Sequence, residues 1–163
     1  MKEVKEVAAY MERNGLTLVT AESCTAGLIA SRLAQVPGAG KLLDCAFVVY
    51  TVSAKQRCLG VSQATIERCN LTSEAVAREM ALGAIERGNA NVAISNTGVA
   101  DDTDPEIPAG TQCFAWVFRD AEGALAVHTG THRFHGDRNQ IREQAADHAL
   151  GRLPALHAAG GRP

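Results

Sequence analysis

The sequence predicts an α/β fold, a mixed sheet held between helix layers, on three observations. Helical and strand patterns alternate from the first residues to Asn96. The last two strand patterns, Thr111 to Phe118 and Ala124 to Phe134, are joined by the turn Asp120-Ala121-Glu122-Gly123 and read as an antiparallel hairpin. A helix with one apolar stripe then closes the chain. At 163 residues the chain has the size of one domain with one sizeable core, expected over residues 1–158, and residues 159–163 are expected to form a disordered tail.

The first helix follows from Val4, Val7, Ala8 and Met11 at helical spacing, ended by Asn14-Gly15. Leu16 to Ala21 is the first strand, and a second helix runs from about Thr25 to Gln35 until Pro37-Gly38-Ala39-Gly40 breaks it. Leu42 to Tyr50 is apolar almost throughout, Asp44 apart, which suits a strand covered on both faces. Short helices are expected at Ser53 to Leu59, stopped by Gly60, and at Ser62 to Cys69. A longer one spans Ser73 to Arg87, with Val76, Met80 and Ala84 on one stripe and Gly88 past its end. Asn91 to Asn96 is the third strand, and Thr97-Gly98 opens a polar loop to Ala109. After the hairpin, Asp137 caps the last helix while Gln140 reaches back, and Ile141, Ala145, Ala149, Leu153 and Leu156 form its buried stripe.

Composition weighs against several classes of function. A formal charge of −2, with no basic stripe interleaved with aromatics, offers no footprint for a nucleic-acid backbone. No apolar run reaches the length of a membrane span, and Lys2-Glu3-Val4-Lys5-Glu6 carries acids where a signal peptide carries an apolar block, so a cytoplasmic address is expected. Cys24, Cys45, Cys58, Cys69 and Cys113 are odd in number, lack a C-x-x-C pair and read as reduced packing thiols. His128, His132 and His135 cluster in sequence, but strand alternation is expected to scatter them between faces, and no metal or other cofactor is expected.

Parallel pairing of the first three strands would bring Ser23, Tyr50 and Gly98 to one rim of the sheet, at the carboxyl ends where open α/β sheets place ligands. Lys55 belongs to the same rim, in the first turn of the following helix, where the dipole disfavours a cation. A serine attacks only when a base takes its proton, and a lysine is that base only when its surroundings leave it neutral. Each residue also has an ordinary reading: Ser23 as a helix cap, Lys55 as a solvated ammonium, Tyr50 as an aromatic with its hydroxyl in water.

The run Thr20-Ala21-Glu22-Ser23-Cys24-Thr25-Ala26-Gly27, then Tyr50-Thr51-Val52-Ser53-Ala54-Lys55 with Leu59-Gly60-Val61, then Gly98 to Thr111, and finally Gly136-Asp137-Arg138, resembles the CinA C-terminal domain family along nearly the whole chain. The resemblance implies a three-layer α/β/α sandwich with a mixed, mainly parallel five-stranded sheet, in the stand-alone form without the family's frequent N-terminal molybdopterin-binding-like domain. It also implies a nicotinamide-nucleotide amidase that needs no cofactor and associates as a dimer or larger homo-oligomer. Ser23 would be the nucleophile, Lys55 the general base and then the acid, and Tyr50 a helper in the proton path. Backbone N–H groups around Thr25, Ala26 and Gly27 would hold the oxyanion. Gly98, Gly110 and Thr111 would shape the substrate loop, and Arg138 and Arg142 would meet a phosphate. Cys24, as the first helical residue, would point away from Ser23.

Three departures stand out. Ala26-Gly27 replaces the family's paired glycines, and Val52 and Ser53 stand where polar and acidic residues are common. The loop after the third strand carries Asp101, Asp102, Asp104 and Glu106 in place of a glycine-rich pattern, with Pro108 kept and Ile107 where a lysine is expected. These acids read as a solvated run, since Asp102, Asp104 and Glu106 lack the spacing and closing glutamate of a calcium loop. Two alternatives follow: a catalytically weak module that binds a nucleotide or a partner, and a Ser/Lys hydrolase of another small amide or ester.

Overall fold

The computed structural model describes residues 2–160. Its elements are α1 (Lys2–Arg13), β1 (Leu18–Glu22), α2 (Leu28–Ala34), β2 (Leu43–Val48), α3 (Val52–Leu59), α4 (Gln63–Cys69), α5 (Glu74–Arg87), β3 (Val92–Gly98), β4 (Thr111–Arg119), β5 (Leu125–Arg133), α6 (Arg138–Gly151) and α7 (Leu153–Gly160). The sheet order is β2-β1-β3-β4-β5. β1 runs parallel to β2 and β3, and β4 is antiparallel to both β3 and β5, so the expected mixed, mainly parallel sheet and its closing hairpin are present.

Alternation along the central strands divides the interior into two apolar layers. Leu18, Val92, Ile94, Phe114, Trp116 and Phe118 face the stripes of α1, α2, α6 and α7. Val19, Ala21, Ala93, Cys113, Ala115 and Val117 face α3 and α5, with Ile66 of α4 packed at the margin. Val92 through Thr97 and Gln112 through Phe118 are buried without a break, as expected of strands covered by helices on both sides. The indole of Trp116 donates to the Ala149 carbonyl at 2.8 Å and ties the sheet to α6. Asp137 and Gln140 form the expected capping box at the start of α6.

Four expectations are corrected. β2 is not covered on both faces: it is the edge of the sheet, with Asp44, Ala46 and Val48 exposed and Leu43, Cys45 and Phe47 half-buried. α2 begins at Leu28 rather than near Thr25, because Ala26 and Gly27 take left-handed φ values of 48° and 94° that no helix accepts. The closing helix is two helices meeting at Arg152, since Pro154 has no N–H for the Leu150 carbonyl and tolerates only the first turn of a new helix. α7 extends through Gly160, two residues into the expected tail, and residues 161–163 lie outside the described residues.

The parallel register has a functional consequence. Glu22 pairs with Val48 on one side and Asn96 on the other, so β1, β2 and β3 deliver their next residues to one rim.

Candidate active site

Thr51 caps α3 by accepting from the Ala54 N–H at 3.1 Å, which sets the helix so that Lys55, about one turn in, points back under the end of β1. Lys55 is fully buried and Ser23 is buried with 8% of its surface left exposed. The ammonium Nζ lies 2.8 Å from Ser23 Oγ, 2.9 Å from the Val49 carbonyl oxygen and 3.2 Å from the Tyr50 carbonyl oxygen. All three partners are neutral. Hydrogen bonding is met while charge is not, and burial lowers the Lys55 pKa to about 8.

The turn that carries Ser23 is held by residues the motif reading passed over. Glu22 is fully buried, and its carboxylate accepts from Thr20 Oγ1 at 2.9 Å and from the N–H groups of Gly27, Ile29 and Ala30 at 2.9, 3.1 and 3.0 Å. It therefore fills the positive end of α2 with the chain's own anion. Asn96, also fully buried, accepts the Thr25 N–H through Oδ1 at 3.0 Å and the Ser23 N–H through its carbonyl at 3.0 Å. Its Nδ2 donates to Gln112 Oε1 at 2.9 Å, and Gln112 in turn donates to the Val99 carbonyl and to Cys24 Sγ. The signal for all three was available: a charge at the end of an apolar strand, and amides inside strands that are otherwise buried.

This arrangement corrects the expected oxyanion donors. The Thr25 and Gly27 amides are already bonded, Ala26 N–H donates to the Ser23 carbonyl, and among the described residues the Cys24 N–H meets no acceptor. Thr25 Oγ1 is buried with no hydrogen-bond partner among the described residues. Cys24 is not a helical residue, but its thiol does point into the core beside α2, where burial pushes its pKa up.

Tyr50 links this pair to the arginines. Its carbonyl meets Lys55, while its half-exposed phenol accepts from Arg138 Nη2 at 2.8 Å rather than touching Ser23 or the amine. Arg138 also donates through Nη1 to Asp101, and that carboxylate is the main reason its pKa is raised. Arg142, one turn further along α6, donates to the carbonyls of Cys24 at 2.9 Å and Thr25 at 3.4 Å, so it braces the serine turn. Gly98 ends β3 against the Gln112 carboxamide, which sits 2.2 Å from where a Cβ would stand. Gly110, at φ 86°, has the Phe134 carbonyl oxygen 2.0 Å from its would-be Cβ, and Thr111 Oγ1 donates to the Pro108 carbonyl at 2.7 Å. These last two close the base of the 99–110 loop; neither bonds to Ser23 or Lys55.

Within that loop Asp101, Asp102 and Glu106 are exposed, and Asp104 folds back to accept from the Glu106 and Ile107 N–H groups, which lowers its pKa. Among the described residues no three His, Cys, Asp or Glu side chains are grouped to hold a metal ion. Two of the three histidines share a face, contrary to expectation, while His135 lies past the end of β5 and is exposed. His128 packs on Phe118, and His132 stacks on His148 with centroids 5.1 Å apart, so both face the α6–α7 layer, as strand residues four apart must. No helix among the described residues is long and apolar enough to cross a membrane. A cleft of about 280 Å³ lined by Asn14, Asn91, Arg119 and His157 and one of about 500 Å³ lined by Ile66, Cys69, Asn70 and Glu106 include neither Ser23 nor Lys55.

Fold and rim together define an α/β/α sandwich protein with a Ser–Lys pair at the carboxyl ends of parallel strands. The CinA C-terminal domain family matches residues 2–156, and the chain belongs to that family. It is 39% identical over 147 residues to the nicotinamide-nucleotide amidohydrolase PncC of Enterobacter agglomerans, covering 89% of this chain and 87% of that protein. It is 42% identical over 146 residues to a CinA-like protein of Chlorobaculum tepidum, covering 88% of this chain and 34% of that protein, so it spans about a third of such relatives. Among solved structures, a CinA superfamily protein from Escherichia coli superposes with a TM-score of 0.86 at 38% identity, covering 94% of this chain and 88% of that one. A competence damage-inducible protein from Klebsiella pneumoniae gives 0.90 at 32%, covering 98% and 97%.

Proposed function

We propose that this chain hydrolyses the carboxamide of a nicotinamide nucleotide, nicotinamide mononucleotide in the first instance, to the acid and ammonia through a Ser23–Lys55 dyad. One observation carries the reading: a buried amine 2.8 Å from the Ser23 hydroxyl, with a pKa lowered to about 8 and, among the described residues, no carboxylate bonded to it. Neutral Lys55 takes the Ser23 proton as Oγ bonds to the amide carbon. The C–N bond then breaks as Lys55 returns that proton to the leaving nitrogen, and water repeats the sequence on the acyl-serine ester. The Cys24 amide, next to the nucleophile and without an acceptor, is the donor proposed for the oxyanion. Arg138 is proposed to take the phosphate, since Arg142 is committed to backbone carbonyls. The amidohydrolase name carried by the Enterobacter agglomerans relative supports the substrate class.

The acidic 101–106 run, with Ile107 where the family's lysine is expected, favours a second reading, a nucleotide-binding module with little turnover. Ammonia release from nicotinamide mononucleotide, measured for the wild type, Ser23→Ala and Lys55→Ala, separates the two. Release in the wild type that is lost in both variants is the expected result. No release from the wild type overturns the amidase.

A further inference from the structure

The acidic loop and the arginine at the start of α6 meet at one contact that the amidase reading leaves unused. Arg138 Nη1 donates to the Asp101 carboxylate and Nη2 to the Tyr50 phenol, while Lys55 donates to the Tyr50 carbonyl. Arg138 is thus one tyrosine away from the Ser–Lys pair. Its α6 neighbour Arg142 is bonded to the carbonyls of the two residues after Ser23, which places this end of α6 over the same turn. Arg142 has no fork left to offer. Arg138 is half-exposed and aims its planar donors at the rim, but a carboxylate supplied by the loop already occupies it.

We infer that Asp101 is a built-in competitor for the anionic end of the ligand: its carboxylate holds Arg138 when the site is empty, and a phosphate-bearing ligand must displace it to bind. The inference rests on Arg138 being the anion-binding group of the proposed reaction. Its chemistry is a ligand exchange on one guanidinium. A carboxylate carries one negative charge and two oxygens, whereas a phosphomonoester carries about two charges and three oxygens, so the exchange favours phosphate over any monoanion. The ligand that wins also faces the displaced carboxylate nearby. The net result is a site tuned to weak binding of phosphorylated ligands and to rejection of carboxylates. Asp101 is therefore a specificity-determining residue that acts on binding and not on the chemical step.

The test is a calorimetric titration of nicotinamide mononucleotide into Ser23→Ala protein, which blocks turnover, with Asp101→Asn or Asp102→Asn added. Asp102 is exposed and has no hydrogen bond or ion pair among the described residues, so its substitution makes the same charge change without touching Arg138. Asp101→Asn should tighten binding about 3- to 10-fold, the exposed ion pair contributing up to about fivefold and relief of repulsion the rest, with Asp102→Asn below about twofold. Nicotinamide riboside, which lacks the phosphate, should bind all three proteins alike. In the Ser23-intact enzyme Asp101→Asn should lower KM and leave kcat unchanged. Equal tightening by both variants, weaker binding by Asp101→Asn, or no binding of the mononucleotide to any variant would overturn the inference. If ammonia is never released while the selective tightening persists, the amidase reading fails and the competitor role of Asp101 stands.

Discussion

Titrating Lys55 tests the proposed chemistry most directly. With a pKa of about 8 the amine is neutral in about one molecule in ten at pH 7, against about three in ten thousand at its ordinary value, a gain of about 300-fold in competent base. If neutral Lys55 takes the serine proton, kcat/KM for ammonia release rises about tenfold per pH unit below pH 8 and levels above it. Lys55→Arg keeps a cation of similar reach but cannot shed its proton, and should cost about 10²- to 10⁴-fold in rate. The same shift marks stability. Between pH 8 and 10.5 the unfolded chain still binds the proton that the folded one has released, so stability rises with pH across that window, by at most about 3 kcal/mol. Only Lys2, Lys5, Lys41 and Lys55 occur in the chain, so the ¹³Cε shifts of labelled protein resolve this titration from the others. A Lys55 midpoint above pH 9.5, or Lys55→Arg retaining more than about a tenth of the rate, would refute the neutral-base argument.

Three further outcomes are expected. Glu22→Gln sets an NH₂ group against backbone donors and should lower unfolding stability by about 2 kcal/mol in urea, with kcat falling as the Ser23 turn loosens. Ala26→Gly relieves a left-handed alanine at φ 48° and should stabilise by about 1 kcal/mol in the same assay. Burial first, then His132 and Arg152, holds the His148 pKa below its ordinary value of 6.5. The unfolded chain therefore gains the proton first as pH falls through about 6.5, and the thermal midpoint should drop between pH 7 and 5.5 more steeply in the wild type than in His148→Gln.

The rim was legible because alternating helices and strands imply parallel strands: once β1, β2 and β3 run parallel, Ser23, Tyr50 and Lys55 must share an edge wherever they lie in sequence. What escaped was set by burial and backbone conformation. An apolar run reads alike in a central strand and an edge strand, so Leu43–Val48 gave no sign that one face stays open. Alanine does not advertise a positive φ as glycine does, so the late start of α2 was hidden at Ala26. Glu22 reads as one acid in a motif until its oxygens are seen against three amides, and only then is it clear that the helix end is closed to any other anion. The phenol of Tyr50 was expected beside the amine; it is the backbone oxygen of that residue which lies there.

That last geometry makes Tyr50 a ruler. One residue touches the Lys55 amine with its carbonyl and the Arg138 guanidinium with its ring oxygen, so on the roles proposed above the stretch between the reacting bond and the bound anion is set by one aromatic side chain. A compound whose reactive carbon and terminal anion lie much closer together, or much farther apart, engages one end of the gauge and misses the other.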